Sequence, residues 1–506
     1  MKRILALFFA ILMLTSVVVS CGKVEEPSTT TTDTNSDLTT LESANVTTIP
    51  VETQPAGPAT DTNGFVLDDL PDDLNYNNET FTVLTWSDVE HEEFYVESLT
   101  GDVVNDAIYN RNQAVEERLG IKFAWVEQAG NFYNIASFNT YIQQALLSGS
   151  HEFDLIGCYS TTVATAAANG YLYNLLDESC EYLNFDQPWW PDTLLEQSTI
   201  NNKLCFASGD ISMNMLYMMY VCFVNTDLIE IHHLEDPAQL VIDGKWTYDK
   251  FIEMCNGIYE DLDGNGVKSN KDRFGYMTSG IHVDPWFYGS GAIMVEKDAN
   301  GQLKVSDTLM SETVVDSITK INALLHDSMD GLHVSTDVHQ TAFRDEQLLF
   351  MIDRARISFQ VLIQNENCHY TIVPAPKYSE EQENYYTVMG GPISLYAIPN
   401  DSVDPAKASA VMECFASESY RTTTPAVFEI TLKLKYAQND ISGQMYDLIR
   451  KNASFDIGRF FAEKLIGFDL FRVVIASNKS TWVSDMKMNL KVFEKKLDNL
   501  QKAFED

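Results

Sequence analysis

The chain has 506 residues, 45% of them hydrophobic, which is enough to fill the cores of two or three globular domains. Its 73 acidic against 34 basic residues give a formal charge of −39, a field that repels phosphate backbones and anionic lipid surfaces. That argues against nucleic-acid binding and leaves a lipid as the means of any membrane attachment.

Lys2 and Arg3 precede an uncharged run, ILALFFAILMLTSVVV, the n-region and h-region arrangement of a secretory signal. Val18, Val19, Ser20 and Cys21 resemble the lipobox of bacterial lipoproteins. The resemblance implies that residues 1–20 are a signal peptide and that Cys21 receives a lipid on sulfur and becomes the mature N-terminus. An ordinary signal peptide or an uncleaved anchor ending near a cysteine is the alternative. The other cysteines, Cys158, Cys180, Cys205, Cys222, Cys255, Cys368 and Cys414, are odd in number and lack a CxxC pair. They signal neither a disulfide framework nor zinc, and read as small core residues.

Residues 21–74 are rich in Thr, Ser, Pro, Asp and Glu and read as a disordered tether with a reach of about 40 Å. The folded part opens with a strand, FTVLTW, ending at Trp86. A helix from about Val103 to Gly120, a strand IKFAWVE, a helix around FNTYIQQALLSG that stops at Gly149, and a buried strand FDLIGCY follow. This alternation predicts a parallel sheet wrapped by helices. Ligands of open α/β sheets collect beyond the carboxyl ends of the strands, which nominates Trp86, Ser87, Tyr159 and Ser160.

The segments FDLIGCYS, GYLYNLLD, NNKLCFASGD, YVCFVNTDLIE and GKWTYDKFIEMC, in that order, resemble the extracellular solute-binding proteins of ABC importers, in the carbohydrate-binding group related to maltose-binding protein. The resemblance spans roughly residues 79–420; the C-terminal eighty or so are less diagnostic. It implies an α/β, two-lobed periplasmic-binding-protein-like fold of type II with a hinge between the lobes. It also implies a monomer without enzymatic activity that captures a sugar or oligosaccharide outside the cytoplasm for an ABC permease. Lobe 1 would hold 79–215 plus 392–425, and lobe 2 would hold 216–391 plus 426–506. Crossings are expected near Met213–Tyr220, near Tyr386–Ser394 with its Gly390, Gly391 pair, and near Thr422–Glu429.

Aromatic faces accept the apolar face of a sugar ring while carboxylates and amides take its hydroxyls. The candidates are Trp86, Tyr159, Trp286, Tyr288, the Gly390 and Gly391 backbone, and Asp210 as a polar partner near the hinge. Any single Trp can equally be a core residue. Trp189 and Trp190 could line a cleft or staple a loop, Trp125 and Trp482 read as packing, and adjacent His232 and His233 read as a solvated turn. No nucleophile elbow, P-loop or HExxH motif is present. A secreted glycan-active enzyme is the competing class, since the many acids could pair across a cleft.

The sharpest local motif is DLDGNGVKSNKD, residues 261–272. Asp261, Asp263, Asn265, the Val267 carbonyl, Ser269 and Asp272 fall at the ligand positions of an EF-hand loop, with Gly266 at the turn. Asp replaces the usual bidentate Glu at the last position. One structural Ca²⁺ is expected, with WTYDKFIEMCNGIYE as the entering helix; a solvated turn, or a calcium-dependent adhesion module, is the alternative.

Overall fold

The computed structural model describes residues 59–428, 440–466 and 469–505. The signal run, Cys21 and most of the expected tether lie outside the described residues. From Ala59 on, however, the chain is laid against the body. Thr60 bridges Val66, the Phe65 ring meets Tyr420 edge-on at 5.4 Å, and Leu70 is buried with its carbonyl accepting from Arg118 at 3.0 Å. The expected boundary near Leu74 is therefore too late. The Thr-rich composition masked the apolar residues of FVLDDL, which are enough to dock that stretch.

Alternating or fully apolar segments form the strands. β1 (Glu79–Trp86) buries its inward residues, and a helix, Val103–Leu119, follows it. Asp102 caps this helix by accepting from Val104 and Asn105 N–H, and Gly120 ends it at φ 59. β2 (Ile121–Gln128) leads through the helix Ile135–Ser148, stopped by Gly149 at φ 63, to the wholly buried β3 (Leu155–Tyr159). β4 (Tyr220–Asn225), β5 (Phe274–Ser279), a hairpin of β6 (Val295–Lys297) and β7 (Leu303–Val305), β8 (Gly331–Val334), β9 (Leu348–Arg354) and β10 (Tyr370–Val373) come next. β11 (Thr387–Val388), β12 (Ser394–Ala397) and β13 (Ala453–Ser454) complete the strands of the described residues.

These make two main sheets. The first has four strands in the order β12-β3-β1-β2, parallel except for β12. The second has five in the order β10-β4-β9-β5-β8, with β4 antiparallel to both its neighbours. The chain passes from the first sheet to the second just before β4 and returns just before β12. These passes run side by side, with Met219 bridged to Met389 and Gly390 N–H donating to the Met218 carbonyl at 2.8 Å. The first pass is not a continuous strand, because Asn214–Tyr217 turns helical before β4 begins. Thr423–Pro425 is likewise helical, and Glu429 lies outside the described residues; the third strand at the hinge is β13, paired in parallel with β11.

The second sheet is packed by an aromatic group of Trp246, Phe251, Tyr276, Trp286 and Phe350, all buried. The seven cysteines among the described residues are buried and unbonded, and burial raises their thiol pKa values. Trp189 and Trp190 both donate to the buried Glu413 carboxyl, at 3.1 and 3.0 Å, and so staple their loop to the first sheet's outer helix Pro405–Arg421. His232 and His233 occupy a turn, with His233 at φ 53. Among the described residues no helix is long and apolar enough to cross a membrane.

Candidate ligand-binding cleft

The strand order dictates where a ligand can sit. β1 and β3 end at Trp86 and Tyr159, β9 of the other sheet ends at Arg354, and the return pass Met389–Ile393 runs between them. Together they wall a cavity of about 580 Å³. Trp86 shows only its edge there, since its Nε1 donates to Ser394 Oγ at 2.9 Å and its ring meets Tyr159 edge-on at 5.6 Å. Ser394 in turn donates to the fully buried Glu93, which also accepts from Ser212 at 2.8 Å and Asn214 N–H at 3.1 Å. Burial raises the Glu93 pKa, and these donors work against the rise.

The glycine pair acts by size. A Cβ on Gly391 would lie 2.4 Å from the Tyr159 hydroxyl, and one on Gly390 would lie 3.0 Å from Arg354 Cδ. Ser160 Oγ, at the start of the helix Ser160–Ala168, donates to the Gly391 carbonyl at 2.7 Å and ties the return pass to β3. The backbone therefore comes close enough to both sheets to form the cavity floor.

At the mouth stand two aromatics that no core claims. Phe132 is 53% and Tyr133 90% exposed, and both line the cavity. Their turn is fixed from beneath by Asp88, which accepts from Gly130 N–H at 2.8 Å, Asn131 N–H at 3.1 Å and Asn134 Nδ2 at 3.0 Å. Asn131 then caps the turn by accepting from Tyr133 N–H at 2.9 Å.

The far wall is charged. Arg459 donates to buried Asp284 at 2.7 Å and to the Met389 carbonyl at 2.9 Å, and Arg472 grips Asp284 through Nε at 2.8 Å and Nη2 at 2.6 Å. Buried Asp456 is held by Met294 and Gly458 N–H and by the Tyr288 hydroxyl, at 2.7, 2.7 and 3.0 Å. Next to Arg354, burial works to raise the Asp353 pKa, but His282 and His339 overcome it and hold the carboxylate well below its usual range. For His282 burial works downward, and Asp353 with Asp337 pushes the pKa up to about 9. Glu90 reaches across from the first lobe to Arg356 and, at 3.8 Å, to Arg354.

Of the residues singled out from sequence, Trp86, Tyr159, Ser160, Gly390 and Gly391 line this cavity. Ser87 is exposed and outside the lining. Asp210 is not in the cleft; it lines a second cavity, of about 430 Å³, where it accepts from Arg450 at 2.7 Å and Thr424 at 2.8 Å. Trp286 is not in the cleft either. The short helix Asp284–Tyr288 turns its ring into the second sheet's core, where Nε1 donates to the Tyr276 hydroxyl at 3.0 Å. Tyr288 is buried behind Arg459, whose guanidinium lies 5.5 Å from its ring centre. Arg354, Arg459, Arg472, Phe132 and Tyr133 escaped the sequence reading. The strand-end rule would have found Arg354 after LLFMID, and two aromatics in GNFYN without a periodic apolar partner were the signal for the exposed pair.

The loop 261–272 lies away from the cleft. Asp261 accepts from Gly264 and Gly266 N–H at 2.8 and 2.7 Å, and Asn265 accepts from Val267 N–H at 2.6 Å. The expected entering helix is shorter than predicted. It spans Tyr248–Cys255 and is followed by Gly257 at φ 79, so the loop is reached through a Glu260–Arg273 bridge.

No protein-family profile and no curated protein matches the sequence. Solved structures do match in shape. The galacto-N-biose/lacto-N-biose I-binding protein of the ABC transporter from Bifidobacterium longum, in complex with lacto-N-biose, is 12% identical with TM-score 0.55, over 85% of this chain and 98% of that one. The extracellular solute-binding protein from Staphylococcus aureus in complex with maltose is 10% identical with TM-score 0.53, over 84% and 99%. A cyclo/maltodextrin-binding protein complexed with maltotetraose is 12% identical with TM-score 0.52, over 84% and 97%. The chain thus has the α/β, two-lobed fold of solute-binding proteins.

Proposed function

We propose that this chain is a lipid-anchored extracytoplasmic receptor that captures an oligosaccharide in the cleft between its two sheets and presents it to an ABC permease. The observation that carries the reading is the exposed pair Phe132 and Tyr133 at the mouth of a cavity whose deeper wall is Tyr159 and Trp86. Aromatic faces stack on the apolar face of a sugar ring, and a large aromatic left in water costs free energy that a ligand offsets. Asp88, Glu90, Arg354 and Arg459 stand around the same space and supply acceptors and donors for hydroxyls. That three proteins of this fold are named for or solved with lacto-N-biose, maltose and maltotetraose supports carbohydrate as the ligand class.

Binding works by population shift: the ligand favours the arrangement in which both lobes touch it, by its differential contacts. The protein acts as a non-catalytic monomer held over its permease by Cys21 and the segment that follows. Titration of the purified chain against a panel of glycans tests the reading. At least one glycan is expected to bind, with Tyr133→Ala weakening it about tenfold, the scale of one lost stacking contact. Affinity for peptides with none for any glycan refutes the carbohydrate assignment, and turnover of the glycan refutes the receptor.

A further inference from the structure

We propose that the loop 261–272 is a calcium site, formed by the carboxylates of Asp261, Asp263 and Asp272 with Asn265, the Val267 carbonyl and Ser269. The inference is independent of the sugar reading, since no residue of the loop lines the cleft. Spacing alone would allow a solvated turn of Asp and Gly residues. Two structural facts argue for more. Asp261, Asp263 and Asp272 each bring a carboxylate oxygen to within 4.8 Å of the others. Asp272 does so although its residue is completely buried: Oδ2 accepts from Ser269 N–H at 2.8 Å and Tyr259 is the other polar side chain set against this carboxylate, while Oδ1 has no partner at hydrogen-bonding geometry. A buried, half-satisfied carboxylate beside two others is costly unless a cation completes it.

Two basic side chains of this stretch are engaged elsewhere. Lys268 turns away to donate to the Ser328 carbonyl at 2.7 Å, and Arg273 pairs with Glu260. The backbone is already bent as an ion would require: Gly264 and Gly266 both sit at φ 69, with open space where a side chain would stand. An all-oxygen donor set in an exposed, adaptable loop suits Ca²⁺, which takes six to eight oxygens, better than Mg²⁺, which demands a near-ideal octahedron. Because β5 follows instead of a second helix, the ion cannot swing one helix against another. It pins the entrance to β5, which lies between β9 and β8 in the second sheet.

The test uses the purified full chain, stripped with chelator and then titrated with calcium chloride or magnesium chloride by calorimetry and by melting. One Ca²⁺ per chain is expected, with a Kd of about 10⁻⁴ to 10⁻³ M as in extracellular loops of this kind. At about 10 mM calcium the melting temperature should rise by about 1–3 °C. Asp263→Asn should abolish both effects while melting like the wild type in chelator, because the Asp263 side chain is exposed and Asn keeps its acceptor for Asn265 N–H. Asp272→Asn should also abolish binding. Absence of calcium heat and of a shift, or an equal shift in Asp263→Asn, overturns the site, and an equal response to magnesium overturns its assignment to calcium.

Discussion

Gly391 is where a single carbon should be felt most sharply. Its φ lies outside the left-handed region, so alanine is allowed by the backbone and on that ground would stabilise by about 0.4–1 kcal/mol through the unfolded chain. Against this, the new Cβ lands 2.4 Å from the Tyr159 hydroxyl and 3.2 Å from Cζ, so the ring must retreat by about 1 Å to reach ordinary contact. It has little room: Trp86 meets it edge-on at 5.6 Å, and the Ser160–Gly391 hydrogen bond of 2.7 Å holds the return pass to the residue after Tyr159. Overpacking of this kind costs about 1–3 kcal/mol, leaving a net loss of about 1–2 kcal/mol. Tyr159→Phe removes the nearest atom and leaves the next at 3.2 Å, so the double variant should recover most of the loss, a coupling of about 1–2 kcal/mol. Denaturant unfolding of the four proteins, followed by tryptophan fluorescence, measures the cycle. Additivity of the two substitutions, or an equal cost for Gly390→Ala, whose closest neighbour is the flexible Arg354 Cδ at 3.0 Å, would refute the reasoning.

Three further outcomes follow from the same geometry. Burial lowers the His91 pKa from 6.5 to about 4 where it meets Tyr217, Phe359 and Gln360. Its neutral form is favoured in the fold, so this stability is present above pH 6.5 and lost as pH falls toward 4; His91→Gln should flatten that part of a melting-temperature profile, and an unchanged slope counts against it. Burial raises the Glu413 pKa from 4.5 to about 8, so its contribution is full below pH 4.5 and lost as pH rises through 8. Glu413→Gln should therefore gain on the wild type between pH 5 and 8, and a constant difference across that range would count against the shift. Trp286→Ala should cost about 3–5 kcal/mol of stability while leaving glycan affinity within about twofold in the folded protein; a selective loss of affinity would return Trp286 to the cleft.

The first lobe was legible because its signals are local. FTVLTW and FDLIGCY are apolar strands bounded by polar turns, and Gly120 and Gly149 mark helix ends that the structure places at φ 59 and 63. Once those strands are known, the rule that ligands gather at their carboxyl ends selects Trp86 and Tyr159. Trp286 misled because the family resemblance implies a strand-to-loop passage facing the cleft at PWFYGSGA, whereas one helical turn suffices to rotate the ring into the aromatic core. Nor does Asp210 betray its partner: Arg450 lies 240 residues downstream. The cleft's charged wall was illegible for the same reason, since Asp284 is joined to Arg459 and Arg472 across 175 and 188 residues.

The least diagnostic part of the sequence has the widest structural reach. Arg459 joins Asp284, on the second sheet's side, to the Met389 carbonyl in the hinge pass, and β13 pairs with β11 at the hinge itself. Farther on, the helix Trp482–Lys502 is tied to the second lobe through Trp482 Nε1 to the Leu309 carbonyl at 2.8 Å and Leu303 N–H to Gln501 Oε1 at 2.8 Å. It is tied to the first lobe through Asn201 Nδ2 to the Gln501 carbonyl at 3.1 Å, while Phe461 packs against both Phe206 and Phe504. A rotation about Met219 and Met389 must therefore carry this segment with one lobe and break its contacts to the other. If the chain works as the proposed receptor, its opening and closing would be set by more than the cleft, and a ligand touching Arg459 or Arg472 would act on the hinge through the side chains that bind it.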